Sequence, residues 1–181
     1  MPSPKDITHT LHLIRAGLAS GLLSKEEVMV WADDIIIIDD EPDIFFIDLA
    51  LSGSKSINDI LHYFNAYLNY ENPVIEGRPL LELLYNRFTS KQWTLEQTVG
   101  KLFSLKFEAV FSGREENYIY SIENDFDCAK DGIYGSLESV NAEVDRFLTF
   151  YKDYTLENFD KWPELDLHVE RMLDKDDNTG I

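Results

Sequence analysis

Apolar residues recur along most of the chain at spacings of three and four, the period that places side chains on one face of an α-helix. Ile7, Leu11, Ile14 and Leu18 form the first such stripe, and Gly21 follows as a stop signal. Ser24-x-x-Glu27 then has the form of a capping box, in which hydroxyl and carboxylate each satisfy an orphan amide, and it opens a second helix carrying Val28, Trp31, Ala32 and Ile35. Pro42 falls at the expected first position of a short third helix through Leu51, with Asp40 or Glu41 as its cap. Ser52-Gly53-Ser54 reads as a turn.

A fourth stripe, Ile57, Ile60, Leu61, Phe64 and Leu68, predicts a helix from Ser56 to Tyr70, after which Asn72-Pro73 and Gly77 mark a loop. Leu80, Leu81, Leu84 and Phe88 predict a fifth helix from Pro79. Thr94-x-x-Gln97 caps a sixth with Val99, Leu102, Phe103 and Val110, ended by Ser112-Gly113. Tyr118, Ile119, Ile122, Phe126 and Ala129 make a seventh, closed by Asp131-Gly132. Ser136-x-x-Ser139 starts the eighth, and Trp162-Pro163 breaks the chain before a last helix over Leu165 to Leu173. No segment sustains the period-two alternation of a strand. Ile35-Ile36-Ile37-Ile38 and Ile44-Phe45-Phe46-Ile47 are the only strand rivals, and their acidic brackets favour helix. The expected fold class is all-α, a bundle or short superhelical stack of about eight or nine helices.

An echo runs through this pattern at an offset of 70 residues. Leu11, Ile14, Leu18 and Leu23 align with Leu81, Leu84, Phe88 and Trp93, and the capping pair Ser24 and Glu27 aligns with Thr94 and Gln97. Two related helical hairpins are one expectation from it; chance alignment of any two capped amphipathic hairpins is the other.

The chain has 181 residues, a length that fits one domain over residues 1–173 with a polar, frayed tail at 174–181. Eleven Phe, nine Tyr and three Trp give it enough large rings for a packed core. Charge narrows the functional classes. With 16 Lys and Arg against 34 Asp and Glu, the net charge is -18, so a nucleic acid or an anionic membrane is not an expected partner. No apolar run approaches the roughly 20 residues of a membrane span, and the first residues lack the pattern of a secretory signal. Cys128 stands alone, so no disulfide framework is expected, and a reducing, cytoplasmic location fits.

Catalytic and metal motifs do not emerge. His9-x-x-His12 has a zinc-compatible spacing but no third ligand near it in sequence. Asp125-Phe126-Asp127 opens like a calcium loop, yet Lys130 and Ser136 occupy its sixth and twelfth positions. Cys128 lies among Asp125, Asp127 and Asp131, which disfavour a thiolate. Phosphate-cradling glycine loops and the nucleophile-elbow motif are absent from the sequence. No metal site and no cofactor are expected.

What stands out is acid. Residues 33–43 hold Asp33, Asp34, Asp39, Asp40, Glu41 and Asp43 with no base among them. Acids at the end of a helix oppose its dipole by roughly 0.3–1 kcal/mol each, and positions that break local consistency tend to serve a partner. A second acidic stretch from Glu115 and Glu116 to Asp131 is interleaved with Tyr118, Tyr120 and Tyr134, a mixture suited to protein contact. The expected partner-binding residues are therefore Asp33, Asp34, Asp39, Asp40, Glu41 and Asp43, then Glu115, Glu116, Tyr118 and Tyr120.

The segment Gly21-Leu22-Leu23-Ser24-Lys25-Glu26-Glu27-Val28, with Trp31-Ala32-Asp33, Asp40-Glu41-Pro42 and Asp48-Leu49-Ala50-Leu51 after it, resembles uncharacterised acidic helical bacterial proteins of the toxin-immunity type. The resemblance covers about the first third of the chain and rests on caps and core positions, so it carries over no site residue. It implies an immunity or inhibitor protein that neutralises a cognate toxin, and a toxin that binds phosphates would be basic. Two other readings are a helical hydrolase with magnesium or manganese on clustered carboxylates, and a helical interaction scaffold. Monomer and homodimer remain equally open.

Overall fold

The structure, a computed structural model, describes residues 7–71 and 73–179, with the side chains of 157 and 175–179 set aside. The expectation for the first residues thus lies outside the described part, as do the last two positions of the tail. Among the described residues the fold is all-α: α1 (Thr8–Ala19), α2 (Lys25–Ile38), α3 (Ile44–Ala50), α4 (Ile57–Tyr67), α5 (Gly77–Thr89), α6 (Leu95–Glu108), α7 (Gly113–Lys130), α8 (Leu137–Thr149) and α9 (Trp162–Thr179). Short 3₁₀ turns cover Ser52–Ser54 and Leu156–Lys161. Both strand rivals are helical, in α2 and α3.

Several boundaries differ from the sequence pattern, each for a local reason. Pro42 lies upstream of α3: Asp43 is the N-cap, its carboxylate accepting from the Phe45 amide at 2.8 Å, so neither Asp40 nor Glu41 caps that helix. Tyr67 ends α4, and Asn69 and Tyr70 turn the chain at φ 53° and 57°. α6 stops at Glu108, ahead of Val110, whose carbonyl accepts from the Gly77 amide at 3.0 Å. Ser112 does not end α6 but begins α7: its hydroxyl accepts from the Glu115 amide while Glu115 Oε2 accepts from the Ser112 amide at 2.8 Å. The last helix takes in Trp162-Pro163 instead of starting after them, because a proline in the first turn forfeits no helical bond.

By contacts the chain divides between Ile75 and Glu76 into two compact units. In the first unit α1 packs on α2 and α4, and α2 packs on α3. Its core is Leu11, Ile14, Leu18, Val28, Ala32, Leu49 and Ile60 around a knot of rings. Phe45 lies at its centre, stacked on Tyr63 at 5.2 Å and edge-on to Phe46 and Phe64 at 5.5 Å each. In the second unit α5 packs on α6 and α8, and α7 packs on the same two helices. Leu81, Leu84, Leu102, Leu105, Ile122, Val144, Phe147 and Leu148 fill its interior.

The 70-residue echo is a structural repeat of the hairpin. α2 and α6 have 14 residues each, and their first and last residues correspond across the offset. Ser20 and Ser90 cap the preceding helices in the same αR conformation. The next residue is left-handed in both copies, Gly21 at φ 76° and Lys91 at φ 58°. The turn bonds also match: Gly21 N donates to Leu18 O and Lys91 N to Phe88 O, Leu23 N to Gly17 O and Trp93 N to Arg87 O. Ser24 with Glu27 and Thr94 with Gln97 are both complete capping boxes. Leu11 and Leu81, Ile14 and Leu84, Val28 and Thr98, and Ala32 and Leu102 are all buried.

Candidate protein-binding site

The acidic run of residues 33–43 spans the end of α2, the bend after it and the cap of α3. Two of its six acids have local structural work. Asp39 is the C-cap residue of α2, and its Oδ1 accepts from the Glu41 amide at 3.1 Å, which shapes the bend. Asp43 caps α3. The other four, Asp33, Asp34, Asp40 and Glu41, are exposed, and among the described residues their carboxylates make no hydrogen bond or ion pair within the chain.

Exposed apolar side chains lie among and on either side of these acids. Val30 and Ile37, seven positions apart, fall on one face of α2 with Asp33 and Asp34 beside them. Val30 is 59% exposed, Ile37 80%, Ile38 63%, and Ile44, at the start of the helix packed on α2, 65%. The inward face of α2 needs only Val28 and Ala32, with Trp31, Ile35 and Ile36 half-buried. The isoleucine run therefore supplies more apolar surface than the fold uses, and it supplies it where the acids are.

The second predicted cluster comes apart in the structure. Glu115 is 1% exposed and belongs to the interior of its unit. Its Oε1 accepts from Arg78 Nε at 2.8 Å and from the Tyr151 hydroxyl at 3.0 Å, while Oε2 completes the α7 cap. Arg78 also donates from Nη1 to Asp166 at 2.7 Å and from Nη2 to Glu170, and the Tyr154 hydroxyl donates to Asp166 at 2.8 Å. Burial works against the Arg78 charge, but the bonds to the three acids outweigh it and hold the guanidinium firmly protonated. Burial, then the Glu115 carboxylate, push the Tyr151 pKa well up; burial, then the bond to Asp166, do the same for Tyr154. A cleft of about 330 Å³ opens at this cluster, lined by Arg78, Glu115 and Asp166 together with Gly77, Phe111 and Ser112. Each guanidinium nitrogen serves an acid of its own unit, so the cluster fastens α9 to α5 and α7.

Glu116 and Tyr120 are exposed on α7, and Lys106 Nζ sits 5.6 Å from the Tyr120 ring. Tyr118 is half-buried, stacked on Phe147 at 4.7 Å, with Arg146 donating to its hydroxyl. Cys128 is half-buried near Tyr134, whose pKa is pushed up to about 12 by its bonds with Cys128 and then with Asp125. Of the zinc-spaced histidines, His9 is exposed and His12 is buried. Among the described residues no group of three or more His, Cys, Asp or Glu could hold a metal ion, and no helix is long and apolar enough to cross a membrane.

Two features escaped the sequence reading. Arg78 meets partners 37, 88 and 92 positions away, and no local pattern announces such distances. Ser112-x-x-Glu115, however, is a capping signature, and Asp166, Glu170 and Asp174, four apart, form an acid ladder on one helix face. No protein family, no curated protein and no solved structure matches this chain.

Proposed function

We propose that this protein is a binding partner rather than a catalyst: a cytoplasmic bacterial inhibitor of the immunity type that neutralises a basic toxin domain by occupying it. The observation that supports the reading is the set of Asp33, Asp34, Asp40 and Glu41, four exposed carboxylates in the second half of α2 and the bend after it, with no bond to another described residue to account for them. The first unit carries four bases against twelve acids, and half of those acids lie in residues 33–43. Such a field steers a cationic partner into encounter and competes with phosphates for its active face. The sequence resemblance in the first third of the chain points in the same direction.

The test is a titration of a basic, phosphate-binding bacterial toxin domain against this protein. Stoichiometric loss of toxin activity at one copy per toxin supports the reading. Undiminished activity at saturating protein contradicts it. The repeated hairpin favours one second reading, an interaction scaffold with a docking face on each unit. Calorimetric stoichiometry separates them: one partner per chain for an inhibitor, two for the scaffold.

A further inference from the structure

The acids alone would make a purely electrostatic, salt-labile site; the exposed isoleucines among them make a different prediction. We propose that the face formed by the end of α2 and the start of α3 takes an amphipathic, basic element of a partner protein, with an apolar stripe that seats on Val30, Ile37, Ile38 and Ile44 and flanking Lys or Arg that meet Asp33, Asp34, Asp40 and Glu41. This rests on the basic-partner reading above and adds to it the apolar centre of the contact.

Three observations carry it. First, four large aliphatic side chains, each more than half exposed, gather on a short stretch of one unit, while isolated exposed apolar residues are ordinary. Second, residues 33–43, which run between Val30 and Ile44, hold six acids and no base, so charge complementarity selects a cationic occupant over a second copy of this acidic chain. Third, the repeat provides an internal comparison. Phe107, the counterpart of Ile37, is equally exposed at 78%, but Phe103, Ser104, Val110 and Phe111 stand where the first unit has Asp33, Asp34, Asp40 and Glu41. The acid rim is therefore particular to the first hairpin and not a by-product of its architecture. In such a contact the desolvated apolar centre sets the dissociation rate, and the charged rim sets the association rate.

The probe is a pair of synthetic 18-residue peptides of identical Lys and Leu composition. One is ordered so that its leucines form a helical stripe; the other is scrambled to remove the stripe. Binding of each to the full chain is followed by surface plasmon resonance. The inference expects the ordered peptide to bind at least tenfold more tightly than the scrambled one. The double variant Ile37→Ser, Ile44→Ser should erase most of that difference by faster dissociation, whereas Phe107→Ser should leave it intact. Equal binding of the two peptides overturns the apolar centre and leaves the basic-partner reading standing. Binding of neither, or binding indifferent to Asp33→Asn with Asp40→Asn, overturns the reading beneath it. Sedimentation of the chain alone covers the remaining occupant: a dimer that Ile37→Ser dissolves would assign the face to a second copy and refute the proposal. All the substituted side chains are exposed, and circular dichroism checks that each variant keeps its helices.

Discussion

Glu115 and Glu170 both accept from Arg78, yet their surroundings differ: the Glu115 side chain is 1% exposed and that of Glu170 43%. Removing one partner from a buried pair leaves a desolvated charge behind and costs about 3–5 kcal/mol, while exposed pairs contribute about 0–1 kcal/mol. Glu115→Gln is expected to fall in the first class and Glu170→Gln in the second, as urea denaturation of the full chain will show; similar losses for both would mean that Arg78 is more hydrated than its packing implies. His12 gives the pH dependence. Its ring is buried, Nδ1 has no hydrogen-bond partner among the described residues, and Nε2 lies 3.9 Å from Glu71. Burial, then the neighbouring Arg15 charge, lower its pKa below the ordinary 6.5; Glu71 pulls it up, and His9 adds a smaller push downward. The unfolded chain therefore takes up this proton more readily than the folded one. The stability that neutral His12 contributes is complete above pH 6.5 and is lost as the pH falls towards its folded value. His12→Gln should flatten the stability profile between pH 7 and 5.5; an unchanged profile would acquit His12.

At the scale of elements, the sequence was most readable where chemistry is local. The stripes of α1, α2, α4, α5 and α8 and the boxes at Ser24, Thr94 and Ser136 involve residues within a turn or two of each other, so their signals survive in a one-dimensional pattern. The cap of α3 was misplaced by adjacent candidates of the same chemistry: Asp40, Glu41 and Asp43 can each cap, and only geometry chooses Asp43. The Arg78 cluster was hidden because it joins α5, α7 and α9. The proposed docking face is half visible in the sequence. The sequence shows its acids, but which isoleucines of 35–38 turn outward depends on how α2 meets α3. The hairpin repeat also yields a matched pair of substitutions. Lys91 adopts the left-handed conformation that Gly21 holds in the first copy, at a cost of roughly 1–2 kcal/mol for a residue with a Cβ. Lys91→Gly should stabilise by up to about 1 kcal/mol after the larger chain entropy of glycine is subtracted, and Gly21→Ala should destabilise by a similar amount. No atom lies within 4 Å of a Cβ added at Gly21, so the effect is one of backbone alone. A stabilising Gly21→Ala in thermal melts would contradict the equivalence of the two turns.

For the whole molecule, a net charge of -18 is spread over both units, so acid by itself marks no site. Asp33, Asp34, Asp40 and Glu41 stand apart from that background because no described residue bonds their carboxylates. Their effect is separable because neutralising any four exposed acids changes the net charge equally, whereas only acids at the docking face change the approach of the partner. The decisive measurement is the association rate constant with a basic toxin domain, by stopped flow from 20 to about 200 mM salt, where screening grows strongly. It compares the native chain, a variant with Asp33, Asp34, Asp40 and Glu41 neutralised to Asn or Gln, and a control with Glu116, Asp131, Glu138 and Asp145, exposed acids of the second unit, neutralised in the same way. The account predicts that the first variant associates at least about tenfold more slowly at low salt, with a flattened salt dependence, and that the control stays close to native. Equal slowing in both variants would reduce the site to diffuse net charge and contradict the claim that the end of α2 is where this protein meets its partner.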